Sequence, residues 1–258
     1  MPNLRQIVIL GALVLVAACA STTPVAQRPP TSIETVGLVK EGLSLPKGYL
    51  DPTDLPDSLA LLPAPPQPGS AAMAADQAAF EQAMKASANR QQVARDDADL
   101  DWKAQASSFE AILGTSLSDG SKPHTEMLLR RAMVDAGLST YRAKKHYKRT
   151  RPFVVNRVGT CLPEQEDMLR QDGSYPSGHT AFGWMLALVL TDLVPEKQNE
   201  LLKRGYDYGQ SRVVCRAHWL SDTTAARMMA SATFARLQSN PVFIAQRELA
   251  RQELAKTK

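Results

Sequence analysis

Two histidines, one aspartate and three cations are the residues of this chain whose types and spacing could do chemistry together. They fall in three short blocks. The first is Lys144, six residues, then Arg151-Pro152. The second is Pro176-Ser177-Gly178-His179, and the third is Ser211-Arg212, five residues, His218, three residues, Asp222. Each block alone is ordinary. An isolated Lys or Arg is most often a solvated charge, a His–Asp pair four apart is most often a structural contact, and Pro-Ser-Gly is most often a turn. In combination they supply what phosphoryl transfer needs, a reaction in which positioning and charge stabilisation do most of the work. Lys144, Arg151 and Arg212 provide three cations, and an Arg fork can clamp two phosphate oxygens at once. The backbone N–H groups of Ser177 and Gly178 add neutral donors. His218 and His179 offer a nucleophile and a proton shuttle. Asp222 is spaced to fix the tautomer of His218, as a carboxylate does in a catalytic triad.

The elements that must hold these blocks are helices. Asp172-Gly173 is a turn signal, and the apolar run Ala181 to Leu190 after the second block reads as a buried helix. The Pro-Ser-Gly-His loop therefore sits at a helix N-terminus, where open N–H groups and the dipole favour an anion. Met73, Phe80 and Met84 recur at helical spacing, and Trp102, Ala106, Phe109 and Leu113 form a second stripe ended by Gly114. A third stripe, Leu128 to Ala136, is expected to stop at Gly137. Tyr141 to Tyr147 starts another helix, which Pro152 must end or kink. Glu196 to Cys215 and Asp222 to Leu237 read as further helices. The segment from Pro241 to Lys258 fits either a docked helix or a frayed tail. Alternation of useful length, hairpin turn pairs and repeats are all missing from the sequence, so the fold class is all-α, a single-domain helical bundle over residues 70–258.

Ahead of that bundle lie three segments. Residues 1–18 read as a signal peptide: Arg5 is followed by the apolar stretch Ile7 to Ala18, too short to span a bilayer. Val16-Ala17-Ala18-Cys19 suits lipidation of Cys19, the favoured reading, and Ala18-Cys19-Ala20 also suits ordinary cleavage. Either way the mature protein is expected outside the cytoplasm, in the periplasm or as an outer-membrane lipoprotein. Residues 19–44 read as a tether. Residues 45–69, in which Leu45, Leu50, Leu55 and Leu59 are threaded between prolines, read as a strap laid on the domain. In an oxidising compartment Cys161 and Cys215 suggest one disulfide, with two separately buried thiols as the alternative. It would close a loop of about 55 residues, worth roughly 4 kcal/mol on the chain-entropy view. A net charge of +4, spread over 258 residues, is too mild for a nucleic-acid partner and suits an anionic small substrate. His124 and His146 read as structural or surface histidines, and Asp96, Asp97 and Asp99 as solvated charges. No zinc-ligand spacing and no G-x-S-x-G context is present.

The three blocks resemble the signature of the type 2 phosphatidic-acid-phosphatase superfamily, which includes soluble acid phosphatases, membrane lipid phosphatases and vanadium haloperoxidases. The flanking sequence is similar to bacterial class A non-specific acid phosphatases: Gly48-Tyr-Leu-Asp51, Leu55-Pro-Asp-Ser58, Thr160-Cys-Leu-Pro163, Asp172-Gly-Ser-Tyr-Pro-Ser-Gly-His-Thr180, Gly205-Tyr-Asp-Tyr-Gly-Gln-Ser-Arg212 and His218-Trp-Leu-Ser-Asp222. The resemblance runs from about Leu45 to Arg236. It implies a helical bundle of that superfamily's type and an exported phosphomonoesterase of broad specificity. It also implies a phosphohistidine on His218, held by Asp222. His179 serves as acid and then base, and Lys144, Arg151, Ser177, Gly178 and Arg212 bind the phosphoryl oxygens. No cofactor or metal is implied, so activity is expected to survive EDTA and to favour mildly acidic pH. The implied partners are small phosphomonoesters, with a membrane reached only through the N-terminal lipid and a homo-oligomer allowed. Arg216 departs from the glycine expected in many relatives and adds a charge near His218. A haloperoxidase, a lipid or isoprenoid phosphatase, and a phosphate-binding lipoprotein without activity are the competing readings.

Overall fold

Ser177 closes the first turn of the helix that the apolar run forms: its hydroxyl accepts from the Thr180 N–H, and the helix runs Gly178–Leu193. Around it, in the computed structural model of the chain, which describes residues 28–42 and 44–256, the remaining elements are helices as well. In order they are α1 (Ile33–Val36), α2 (Ser58–Leu61), α3 (Ala71–Ala83), α4 (Ala88–Asp96), α5 (Trp102–Leu113), α6 (Pro123–Ser139), α7 (Tyr141–Tyr147), α8 (Pro152–Val155), α9 (Glu166–Gln171), α10 (Gly178–Leu193), α11 (Gln198–Val214), α12 (Leu220–Leu237) and α13 (Pro241–Ala255). Extended pairing among the described residues is limited to one isolated bridge, Leu38 with Pro46. Among them, too, no helix is long and apolar enough to cross a membrane. The signal segment 1–18 and Cys19 lie outside the described residues.

Helix α10 is the axis of the bundle. It packs against α6, α11 and α12, and α13 completes the core with buried Phe243, Ala250 and Leu254. The α10–α11 contact is unusually close because three glycines make room. A Cβ at Gly183 would stand 2.3 Å from the Tyr208 ring, one at Gly205 2.5 Å from the Ala187 methyl, and one at Gly209 2.8 Å from Thr180. Real Cβ atoms do not approach this closely, so the Gly205-x-x-x-Gly209 spacing fixes how near the two helices lie. That approach brings His179, at the start of α10, beside Arg212, near the end of α11.

Two stretches end differently from the sequence expectation. Helix α6 runs through Gly137 to Ser139, because Gly137 is a packing position: a Cβ there would meet the Phe182 ring at 2.0 Å. Helix α7 ends well before Pro152, at Lys148 in the left-handed region. Pro152 instead opens α8, where its missing N–H costs nothing. The C-terminal segment is a docked helix, whose Glu253 carboxylate accepts the N–H groups of His124 (3.0 Å) and Thr125 (2.8 Å) at the open end of α6.

The proline-rich stretch lies on the bundle. Leu50 and Leu62 are buried, and Leu45 and Leu55 pack against the main core. Gly48 has no side chain because Asp135 of α6 fills that space, and the carboxylate accepts the N–H groups of Tyr49 (2.8 Å) and Leu50 (3.3 Å). Burial pushes the Asp135 carboxyl up to about 7 despite those bonds and Arg131 nearby. Part of the segment read as a tether is also in contact: Arg28 donates to His124 at 3.0 Å and Gln246 to the Pro30 carbonyl at 3.0 Å. Asp97, read as a solvated charge, is instead buried. It accepts from the Ser211 hydroxyl at 2.5 Å and is paired with Arg204.

Candidate active site

The three blocks converge. Arg151 precedes α8, and its guanidinium Nη1 meets the Nε2 of His218 at 3.0 Å and donates to the Ala217 carbonyl at 2.9 Å. Its Nε donates to the carbonyls of Leu169 (2.8 Å) and Asp172 (3.0 Å), and its Nη2 donates to the Asp172 carboxylate (3.0 Å). Lys144, in the last turn of α7, donates to the Gly173 carbonyl at 2.7 Å and lies 3.4 Å from the same carboxylate. A side chain at position 173 would strike the Lys144 carbonyl at 2.7 Å, so only glycine lets this loop close over α7. Asp172 thus ties two of the three cations together from the rim, a role hidden in the sequence behind its reading as a turn residue.

Arg212 is different. It is fully buried, and none of its three guanidinium nitrogens has a hydrogen-bond partner. Its backbone carbonyl accepts from the N–H groups of Ala217 and His218, both at 3.2 Å, so the turn that presents the imidazole is built on this residue. Burial brings the guanidinium down to about 10. Burial, with Arg151 as the nearest like charge, brings Lys144 down to about 8. An unpaired buried cation is costly, and a bound anion is what removes the cost.

The Nδ1 of His218 lies 2.8 Å from the Ser174 carbonyl and 3.5 Å from the Asp222 carboxylate. The carbonyl is the closer acceptor, so the proton sits on Nδ1 and the Nε2 lone pair faces the cations. Asp222 acts largely through its neighbours. It accepts the Trp219 N–H at 2.8 Å and the Ser174 hydroxyl, which lies beside it at 3.4 Å from the imidazole Nδ1, and its backbone carbonyl accepts the Ser177 N–H at 3.1 Å. The Ser177 N–H is therefore occupied in this arrangement. The N–H of Gly178, in the first turn of α10, has no carbonyl within the helix to bond. A Cβ at Gly178 would meet only open space, so this backbone is accessible to a ligand. Burial first, then Arg151, Lys144 and Arg212, holds His218 well below its ordinary value of 6.5 and keeps the ring neutral.

His179 is held more loosely. Its Nε2 is 3.3 Å from the Ala98 carbonyl, and the half-buried ring lines a cavity of about 1010 Å³. Ala98, Leu100, Leu162 and Met168 supply apolar wall, and Asp96, Asp99 and Glu164 supply charge. Burial, then Arg212 and His218, holds His179 well below 6.5 as well.

Cys161 and Cys215 are joined, with Cα atoms 4.8 Å apart, and the Cys161 N–H donates to the Cys215 carbonyl. The bridge ties the loop before α9 to the end of α11, close to Arg212. Arg216 has φ +63, which accounts for the glycine expected there. Its guanidinium donates to the Gly159 carbonyl at 2.6 Å, beside Glu166. The cations that depress His218 are Arg151, Lys144 and Arg212, and Arg216 is not one of them.

Residues 127–240 match the model of the PAP2 superfamily. The chain is 45% identical to a non-specific acid phosphatase of Providencia stuartii over 81% of its own length and 86% of the relative's. It is 42% identical to a non-specific acid phosphatase of Salmonella typhimurium, over 80% and 83% of the two chains. With an acid phosphatase of Zymomonas mobilis it shares 37% identity over 78% and 77%.

Proposed function

Since this chain belongs to the non-specific acid phosphatases of the PAP2 superfamily, we propose that it hydrolyses phosphate monoesters of broad specificity through a phosphohistidine on His218. The observation that carries this reading is the buried guanidinium of Arg212 with three unpartnered nitrogens, next to Arg151, Lys144 and a neutral imidazole. A tetrahedral dianion satisfies those donors and offsets the accumulated charge. The phosphoryl group sits against Arg212, Arg151, Lys144 and the Gly178 N–H. The Arg151 contact to Nε2 gives way to the incoming oxygens, and the Nε2 lone pair attacks phosphorus as the ester P–O bond breaks. The proton stays on Nδ1, whose N–H keeps donating to the Ser174 carbonyl. His179 donates a proton to the departing alkoxide, and the alcohol leaves through the cavity. In the second step His179 takes a proton from water, whose oxygen attacks phosphorus and frees His218. Because the donors are fixed before substrate arrives, they stabilise the charge that develops at the transition state.

The substrates are small phosphomonoesters. The site of action is the periplasm, reached through the export segment 1–18, with Cys19 as lipid anchor to the membrane. The test is the purified mature protein assayed, in excess EDTA, against nucleotide, sugar and lipid phosphates, beside His218→Ala. Release of phosphate from several soluble esters, lost in the variant, is expected. Abolition by the chelator, or action on lipid phosphates alone, would overturn the reading.

A further inference from the structure

The site is backed by a second buried charged group, Arg149 and Asp76, that the three sequence blocks do not contain. Arg149, two residues before Arg151, is almost fully buried. Its Nη1 donates to the Asp222 carboxylate at 2.6 Å and to the Ser221 hydroxyl at 2.7 Å. Its Nη2 donates to the Asp76 carboxylate of α3 at 2.7 Å. Asp76 is also buried and accepts the Ser221 N–H (2.8 Å) and hydroxyl (2.6 Å) at the start of α12. The guanidinium lies over the Trp219 ring, 5.4 Å from its centre. The backbone takes part as well: the Arg149 carbonyl accepts the Ser174 N–H at 2.8 Å, and the Ser174 carbonyl is the acceptor for His218 Nδ1.

Two buried carboxylates therefore share one guanidinium directly behind the nucleophile. Asp222 also feels the charges of Lys144 and Arg151, and a buried ionic cluster of this kind is a costly way to hold helices together, since packed apolar residues do so at lower cost. Its geometric effect is specific. With one Asp222 oxygen taken by Arg149, the other is left to the Trp219 N–H and the Ser174 hydroxyl. The carboxylate is thereby kept 3.5 Å from the imidazole, and the Ser174 carbonyl stays the nearer acceptor.

We propose that Asp76 and Arg149 are positioning residues for the nucleophile: the pair clamps Asp222 and the Ser174 loop so that His218 keeps its proton on Nδ1 and presents Nε2 to phosphorus. The inference rests on the reading of His218 as the nucleophile. Neither residue faces the phosphate, so loss of the clamp acts on kcat and not on anion affinity. A planar fork is required, because an ammonium cannot serve two carboxylates and a hydroxyl in one plane.

The test compares the wild type with Asp76→Asn, Arg149→Lys and the milder Ser221→Ala, using p-nitrophenyl phosphate turnover, inorganic phosphate binding and 15N NMR of the histidine rings. The chain has four histidines, and His218→Ala assigns the signal of interest. The wild type is expected to show a single Nδ1–H tautomer at His218. In Asp76→Asn and Arg149→Lys, kcat is expected to fall about 10- to 100-fold, the scale of a misplaced reacting group, while the phosphate Kd stays within about threefold. The tautomer signal should become mixed. Ser221→Ala should move both readouts the same way by a smaller amount, and it decides the matter if the charged variants do not fold. Unchanged kcat with an unchanged tautomer would overturn the proposal, as would phosphate affinity falling in step with kcat and Tm. A wild type without phosphatase activity would sink the reading of function, while the tautomer comparison would still decide the clamp.

Discussion

The two histidines of the site stand in opposite surroundings. His218 is wedged between the Arg151 guanidinium and the Ser174 carbonyl, with Asp222, Arg149 and Asp76 ranked behind it. His179 has one polar contact, at 3.3 Å, and opens on a large cavity. The difference follows from what each side must recognise. On the proposed mechanism the phosphoryl group is the same in every substrate, and a fixed wall that leaves the Arg212 donors open suits it. The leaving group changes from substrate to substrate, and a wide cavity lined by apolar, acidic and basic side chains suits many.

Exchanging the deep side should cost most. His218→Ala is expected to lower kcat by at least about 10⁴-fold, the scale seen when a nucleophile is removed. Retention of more than a hundredth of wild-type activity would place the nucleophile elsewhere. Arg212→Met separates binding from stability. Phosphate affinity should fall about 100-fold or more, yet the ligand-free Tm should hold or rise, because an unpaired buried cation is replaced by an apolar chain of similar length. A drop in Tm by several degrees would mean that Arg212 is already paired in the free protein.

The open side should show a milder and leaving-group-dependent loss. His179→Asn is expected to lower kcat/KM, which reports the first step, by about 10²- to 10⁴-fold for alkyl phosphates. The kcat/KM of a nitrophenyl ester, whose phenolate needs no proton, should fall much less, although its kcat falls with the slowed second step, and equal losses in kcat/KM would remove the general acid from His179. The pH profile sharpens this. On the proposed mechanism the first step requires protonated His179, so it is expected to slow as pH rises through that residue's pKa. In the free protein burial and Arg212 hold the pKa well below 6.5, and the bound dianion opposes those cations and raises it. The alkaline fall in kcat/KM should therefore come at lower pH than the fall in kcat.

Stability carries the same signature. Below pH 6.5 an unfolded chain takes up protons that the neutral His179 and His218 of the native protein refuse, so these two residues make stability fall as pH drops. Asp135 acts in the other direction, since its raised pKa makes the native state the better proton binder between about 3.8 and about 7. The difference between wild type and His179→Asn isolates the histidine contribution. The variant should lose less Tm between pH 7 and pH 5, and a parallel loss would contradict the depressed pKa. The smallest effect is expected at Arg216. Replacement by glycine relieves a left-handed backbone worth about 1 kcal/mol, offset by the lost bond to Gly159. Tm should shift by no more than a few degrees and kcat should not change.

Most of the fold was legible because helical periodicity survives in the core faces. The α5 stripe from Trp102 to Leu113 and its Gly114 cap read directly from spacing. Gly137 did not, since a glycine that makes room for Phe182 looks in one dimension like a helix stop. The site residues of the three blocks were legible because their types are rare in combination. Asp172 and Ser174 were hidden by their double use as turn residues, and the Ser174 contribution is a backbone carbonyl that no residue type announces. Asp76 lies outside every block, on a helix of low amphipathicity. Arg149 was masked by the basic stretch around it, whose other members are mostly solvated. Asp97 looks in sequence like its exposed neighbours Asp96 and Asp99, and only the fold shows Arg204 and Ser211 turned toward it.

The account stands on His218 taking the phosphoryl group, and rapid quenching during turnover of a 32P-labelled ester tests that most directly. An acid-labile, alkali-stable phosphate on the peptide containing His218, chased by unlabelled substrate and missing from His218→Ala, is the predicted result. Label on any other residue, or steady turnover with no covalent phosphate in a time course that captures the burst, would contradict it.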